Sequence, residues 1–354
     1  MIKTTKQFQQ ERLSVGQKVG MINLGCARNL VDSQMILGRL KKNGHRVVEL
    51  GDADVAIVNT CSFIEEARQE SVDTILDLLE LKKKGKIKKV IVAGCLAQRY
   101  GKDLVEEFKD VDAFIGTPTL NREQNFEQFQ LTPKHFAYVK ICESCFNQCS
   151  FCAIPKIKGK FISRTIESVV EEVQKLDAQG VVEINIIGQD ITAYGMDIYR
   201  EKSLARLLKE LVKVTKNIQW IRLLYAFPAH VTDELIDVIA CESKICHYID
   251  MPLQHVSDHL LKSMNRNITT QGTLDLIKRL RTKIPDGFLR TTFIVGLPGE
   301  TQESFDELRA FVRASRFERV GVFIYSKEES TAAYDMPDQV PAAIKRKQIG
   351  RAHV

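Results

Sequence analysis

Ala137-Tyr138-Val139-Lys140-Ile141-Cys142-Glu143-Ser144-Cys145-Phe146-Asn147-Gln148-Cys149-Ser150-Phe151-Cys152 is an apolar run of strand length that opens into a loop carrying Cys-x3-Cys-x2-Cys. Thiolates bind soft metals, and Cys145, Cys149 and Cys152 lie close enough in sequence to surround one iron–sulphur cube. Three ligands leave one iron of a 4Fe–4S cluster without a protein partner. An open iron can take a small chelate, such as the amino and carboxylate groups of a methionine. A closed structural zinc site needs a fourth Cys or His. Cys142, three residues upstream, is the only local candidate, so a zinc knuckle through Cys142 is the bland alternative.

Strand-length runs alternate with segments of helical period on either side of this loop, the pattern of βα units on parallel sheets. After Ala137–Ile141, strands are expected at 182–187, 220–225, 247–251, 289–295 and 320–325. Helices are expected near 166–179, 204–214, 232–240, 270–283 and 302–314. Periodicity alone leaves an open doubly wound sheet and an incomplete (β/α) barrel both available.

Upstream, strands are expected at 18–24, 45–50, 55–60, 89–93 and 113–116, with helices near 29–42, 65–83 and 98–108. Residues 117–134 turn polar around Pro118 and Pro133 and read as a linker. Cys26, Cys61 and Cys95 each follow one of these strands. In a parallel sheet the residues just past the strands share one edge, so the three thiols converge on one crevice although they are far apart in sequence. Three small apolar residues in turns are the alternative. Cys241 and Cys246 fit neither set and are expected in the core.

The chain has 354 residues, enough for two domains, and its 44% hydrophobic and 27% charged residues exclude extended disorder. A net charge of +6 is too small a surplus to demand a nucleic acid. The run Lys82-Lys83-Lys84 with Lys86, Lys88 and Lys89 falls at a helix end, where it complements the dipole. Neither a signal peptide nor a span of ~20 apolar residues is visible, which points to the cytoplasm. Nine cysteines in a reducing compartment suggest metal or redox work rather than disulfides.

The triplet after the first strand of an α/β domain resembles the radical S-adenosylmethionine superfamily. Two further segments agree: Ile187-Gly188-Gln189-Asp190, ending the second strand, and Ile294-Val295-Gly296-Leu297-Pro298-Gly299-Glu300-Thr301, ending the fifth. The first is expected to hold the methionine end and the second the adenine side, with Glu300 and Thr301 capping the following helix. Together the two triplets resemble the methylthiotransferase family, over about Lys18 to Arg346. The resemblance implies an α/β fold: an N-terminal doubly wound parallel-sheet domain (1–125), a linker (126–134) and a radical S-adenosylmethionine partial barrel of six βα units (135–348). It implies two 4Fe–4S clusters, the auxiliary one on Cys26, Cys61 and Cys95 carrying the sulphur to be inserted. The cluster on Cys145, Cys149 and Cys152 would cleave S-adenosylmethionine to a 5′-deoxyadenosyl radical.

Within the family, Leu24-Gly25-Cys26-Ala27-Arg28-Asn29-Leu30-Val31-Asp32-Ser33, Asn59-Thr60-Cys61-Ser62-Phe63-Ile64, Gly188-Gln189-Asp190 and Pro252-Leu253-Gln254-His255 look like the class that modifies an aspartate of ribosomal protein S-twelve. The alternatives are the class that modifies a transfer-RNA adenosine and, of another kind, a non-catalytic two-cluster electron carrier. The carrier predicts four protein ligands per cluster. The RNA class would want a stacking aromatic in a basic groove, and Trp220 reads as core.

Arg164 and Arg290 are candidates for the cofactor carboxylate or ribose, each weighed against a surface salt bridge. His255 and Gln254 are expected at the barrel mouth, and Tyr325-Ser326-Lys327-Glu328-Glu329 near the substrate entrance. The expected partners are the small ribosomal subunit, a reductant such as flavodoxin or ferredoxin, and a sulphur donor, with the enzyme a monomer. Three departures from the family stand out. Cys142 replaces a small residue and could compete for iron when the cluster is damaged, and Ser330 replaces a glycine. The small β-barrel RNA-binding (TRAM) module is expected to be missing after Val354, with 349–354 an artefactual tail encoded by a sequencing adapter.

Overall fold

Val55-Ala56-Ile57-Val58-Asn59-Thr60 (β3) buries all its side chains, and Lys89–Gly94 (β4) buries every one but its first. Runs apolar on both faces belong inside a parallel sheet with helices above and below. The computed structural model describes residues 15–123 and 129–351. It divides the chain into two units, the first ending at Lys134 and also taking in Lys156–Gly159, the second formed by the rest from His135.

The first unit adds β1 (Lys18–Asn23), β2 (Arg46–Val47) and β5 (Ala113–Ile115) in the order β2-β1-β3-β4-β5, with every pairing parallel. Helices α1 (Ala27–Lys42), α2 (Glu65–Lys83) and α3 (Cys95–Glu107) connect the strands. The order reverses between β1 and β3, and doubly wound sheets bind ligands at that switch point. Separate apolar clusters form on the two faces, one around Val58, Val90 and Leu104, the other around Val19, Leu37 and Ile57.

The second unit carries β6 (Phe136–Lys140), β9 (Glu183–Ile187), β10 (Trp220–Leu223), β11 (Ile245–Asp250), β12 (Phe288–Val295) and β13 (Arg319–Ile324). All pairings are parallel and each strand lies beside its predecessor in the chain. No reversal occurs, so right-handed crossovers put every connecting helix on one face. That excludes the doubly wound alternative for this half and leaves the partial barrel. The helices are α5 (Ile166–Ala178), α6 (Leu204–Val214), α7 (Asp233–Cys241), α9 (Thr270–Lys283) and α10 (Gln302–Ser315). Thr165, Thr232, Thr269 and Thr301 cap four of them by accepting the N–H three residues on.

Four short elements had no periodic signal. β7 (Cys142–Glu143) and β8 (Ile162–Ser163) pair antiparallel across the base of the cysteine loop, α4 (Ile154–Lys158) lies within it, and α8 (Asp258–Ser263) follows β11. A final helix, α11 (Ala342–Arg351), runs through residues 349–351, expected to be artefactual tail, because Ile349 finds apolar neighbours in the main core. Residues 352–354 lie outside the described ones, as do 126–128 of the expected linker segment 126–134.

Three side chains differ from expectation. Trp220 is 53% exposed because it is the first residue of β10, at the sheet end away from the loops. Cys241 is exposed because it ends α7 on the Asp233 and Asp237 face, not on the buried Leu235, Ile236, Val238 and Ile239 face. Cys246 is half-buried in β11.

Candidate functional site

In the first unit, Leu24 and Gly25 separate β1 from Cys26, Cys61 directly follows β3, and Cys95 opens α3 directly after β4. Two glycines make these turns. At Gly25 (φ +86°) a Cβ would lie 2.9 Å from the Cys61 Cβ; at Gly94 (φ +97°) it would lie 2.2 Å from Asn59 Oδ1. Asparagines then tie the turns together. Asn29 Nδ2 donates to the Leu24 and Thr60 carbonyls (3.1 and 3.0 Å), and its Oδ1 accepts from the Cys95 thiol at 3.5 Å. Asn59 Nδ2 donates to the Asn29 carbonyl at 2.7 Å and to Ser33 Oγ at 2.9 Å. Without these bonds the turns would bury unpaired backbone carbonyls.

The three thiols differ electrostatically. Burial pushes Cys26 up, but the Arg28 charge and the first backbone N–H groups of α1 outweigh it, so the thiol is more acidic than usual. Burial raises Cys61, and it raises Cys95 to about 12 even against the charge of Lys158. Lys158 itself lies 3.0 Å from buried Asp32 within this unit. Cys61 and Cys95 would ionise on taking a metal rather than before it.

In the second unit the cysteine loop is pinned from several directions. Ser150 donates its N–H to the Met264 carbonyl (3.0 Å) and accepts from the Ala333 N–H (2.8 Å). Asn265 Nδ2 donates to the Gln148 carbonyl at 2.8 Å. Asn147 donates to Cys145 Sγ from its backbone (3.4 Å) and from Nδ2 (3.3 Å). The same Nδ2 reaches Asp190 Oδ2 at 2.8 Å. Asp190 also accepts from His230 Nδ1 at 2.7 Å and from the Thr192 N–H at 3.0 Å. Burial, with Asp190 next, raises Cys145 to about 11.

Cys142 is a different kind of thiol. It is fully buried, its Sγ lies 3.6 Å from the Asp190 carbonyl, and burial raises it well above the usual thiol range. A Cβ on Gly188 would stand 2.4 Å from that sulphur, so the glycine makes room for Cys142. A thiol locked neutral behind the strand end is a poor competitor for iron.

Of the other predicted residues, Gln189 donates to Glu143 Oε1 at 2.8 Å while its buried Oε1 has no donor. Gln254 Oε1 is likewise buried without a donor, on a backbone at φ +73°. Glu300 does not cap α10; Thr301 and Ser304 form that capping box. Its carboxylate turns back to the Gly296 N–H (2.9 Å) and to Gln348 Nε2 (2.6 Å) of α11. Burial raises Glu300 to about 7 and lowers His255 to about 3. With the imidazole uncharged, the 3.8 Å approach of these two is not an ion pair.

Arg164 is fully buried, contrary to a surface salt bridge, with its fork engaged by Glu172, Ser168 and the Lys140 carbonyl. Arg290 lies early in β12 and pairs with Asp250 at 3.0 Å, five residues before the strand ends. Sequence reasoning missed Arg266, whose Nη1 is 3.8 Å from Cys149 Sγ, and gave no role to Asn147 or His230. Asn147 was legible in principle as an amide between two cysteines; Arg266 follows a six-residue helix that carried no signal.

Among the described residues no three Cys, His, Asp or Glu side chains stand at the spacing one metal ion requires. A cube takes each thiolate on a different iron and does not require it. The donor sets fit such groups: thiols in threes and, in the second unit, buried amide oxygens at strand ends still lacking a donor.

Family models match residues 18–116 (uncharacterized protein family UPF0004) and 139–312 (radical SAM superfamily). The chain is 44% identical to the ribosomal protein uS12 methylthiotransferase RimO of Christiangramia forsetii, covering 97% of this chain and 77% of that one. It is 46% identical to the RimO of Geobacter sulfurreducens, covering 94% and 80%. The RimO of Myxococcus xanthus is 47% identical, covering 91% and 72%. Among solved structures, the radical S-adenosylmethionine methyltransferase TsrM of Kitasatospora setae aligns with TM-score 0.64 at 16% identity, covering 87% of this chain and 73% of that one. The cobalamin-dependent radical enzyme OxsB aligns with TM-score 0.59 at 9% identity, covering 95% and 56%. Both speak to the fold alone.

Proposed function

The chain belongs to the family of ribosomal protein uS12 methylthiotransferases RimO, and from that premise we infer that its substrate is the β-carbon of an aspartate in uS12. It is a radical S-adenosylmethionine enzyme using that cofactor and a 4Fe–4S cluster. The cluster is assigned to Cys145, Cys149 and Cys152, and an auxiliary 4Fe–4S cluster to Cys26, Cys61 and Cys95. One observation carries the pairing: the first sheet brings one thiol to the C-terminal end of each of three strands, the second carries three in the loop past the C-terminal end of β6, and that is the edge where α/β folds bind ligands.

When bound, the cofactor pair supplies the hydrogen-abstracting power that no side-chain base has toward an unactivated C–H bond. The protein's own residues hold and orient. Asn147 fixes the Cys145 sulphur, and Asp190 fixes Asn147. Gln189 and Gln254 offer amide oxygens to an amine-bearing ligand at the strand ends. Cys26, acidic and half-exposed, is the thiol best placed to ligate first.

A transfer-RNA substrate would want a stacking aromatic beside the thiols. Trp220 is exposed at the opposite end of its sheet, whereas Phe146 and Phe63 are exposed beside Cys145 and Cys61, so the choice of uS12 over RNA rests on the relatives and not on aromatic placement. Reductant, sulphur donor, monomeric state and a cytoplasmic setting follow the same family reading; among the described residues no helix is long and apolar enough to cross a membrane.

The test is anaerobic reconstitution followed by mass spectrometry of a uS12 peptide and of transfer RNA. A methylthio gain on the peptide, with about eight irons per chain for two such clusters, supports the reading. A gain on RNA alone, or about four irons, overturns the substrate or the second cluster respectively.

A further inference from the structure

Arg266 is 7% exposed, yet among the described residues no carboxylate pairs with it, and its Nε is buried without a partner. A buried guanidinium is costly unless an opposite charge meets it. Two of its contacts are neutral. Nη2 donates to the Pro252 carbonyl at 2.6 Å, and the guanidinium lies over the Phe227 ring at 4.1 Å. A cation–π contact falls short of an ion's desolvation penalty. The remaining contact is Nη1 to Cys149 Sγ at 3.8 Å. A neutral thiol does not balance a cation. A thiolate does.

We propose that Arg266 is a positioning residue that supplies the buried counter-charge of the cluster on Cys145, Cys149 and Cys152, acting through Cys149. This deepens the proposed function and rests on its ligand assignment. The Pro252 carbonyl and the Phe227 face fix the plane of the guanidinium, with Nη1 turned to the sulphur. An electron that a low-potential donor gave to a cluster held there would add its charge beside a cation that Arg266 already provides. Hydrogen bonds and charge at the sulphurs set cluster potentials, so Arg266 raises this one.

The test is a redox titration of the fully reconstituted chain, following by electron paramagnetic resonance the signal that responds to S-adenosylmethionine. At the poise where wild type is half reduced, Arg266→Gln is expected to lower the reduced-to-oxidised ratio about tenfold, a shift of ~59 mV for one electron. Arg266→Lys, which keeps charge but not the fork, is expected to recover at least half of it. Iron lost in Arg266→Gln but retained in Arg266→Lys also supports the counter-charge. An unchanged midpoint at full iron content in Arg266→Gln overturns the proposal. So do equal shifts in both variants, or iron loss in both. A responsive signal that survives Cys149→Ala, or none in wild type, refutes the ligand assignment itself and takes the proposal with it.

Discussion

The nine cysteines are chemically unequal, and the differences come from where each sits. Cys142 is neutral and walled in by Gly188; Cys26 is acidic at a helix start; Cys145 holds two donors from Asn147. The proposed division of labour between the two triplets gives a direct expectation. Cys149→Ala abolishes cleavage of S-adenosylmethionine, whereas Cys61→Ala leaves cleavage in place and removes methylthio transfer; chromatography of 5′-deoxyadenosine against product separates the two. The grouping of the thiols was readable because residues close in sequence, or just past neighbouring parallel strands, come together in space. Arg266 and His230 were not, because the contacts that define them are formed only by the fold. Trp220, Cys241 and Cys246 misled for a related reason: an apolar run fixes a strand but not which end of it is covered. Ser330 stands at φ +66°, the conformation its family's glycine takes without strain.

Long elements were legible and short ones were not. All eleven expected strands are present, but β2 is only Arg46–Val47 within the expected 45–50, while β7, β8 and α8 had too few residues to show a period. The role of α11 was also hidden, since it depends on partners far back in the chain. It ties to the glycine turn after β12 through Gln348 and Glu300, and Lys345 donates to the Tyr325 carbonyl at 3.2 Å. Burial raises the Glu300 carboxyl from 4.5 to about 7, so its protonated form is favoured by folding. The stability this contributes is full below pH 4.5 and lost as pH rises through about 7, on the order of 3 kcal/mol. His255, lowered to about 3, runs oppositely: its share is present above 6.5 and lost as pH falls through about 3. Glu300→Gln cannot titrate. The difference in melting temperature between wild type and this variant should therefore fall as pH rises from 4.5 to 7 and be flat above; a flat difference throughout would refute the buried-acid account.

At the scale of the molecule, two sheets solve one problem by different windings. The first puts Cys26 and Cys61 on either side of a strand-order reversal; the second runs in chain order and gathers its thiols in one loop. Alternating periodicity announced both halves as α/β but could not distinguish the windings, because strand order is set by crossover direction, not by local pattern. Each unit has its own apolar core, so local damage should remain local. Gly94→Ala forces a side chain into a glycine-only backbone conformation and onto Asn59, costing ~3 kcal/mol or more. Iron assay should find about half the metal lost, with cofactor cleavage intact; loss of both would show the units to be energetically one.

The two clamps on Ser150 set an order of events during synthesis. Every thiol of the first unit, and all five strands behind them, have emerged once Ile115 is made. The second loop has its cysteines by residue 152 but must wait for Met264 and then Ala333 before both of its backbone anchors exist. On the proposed assignment, iron delivered to a growing chain meets the first unit's thiols with all their strands already made and a second loop still without its anchors, so the cluster that would meet the cofactor would be the last to be built.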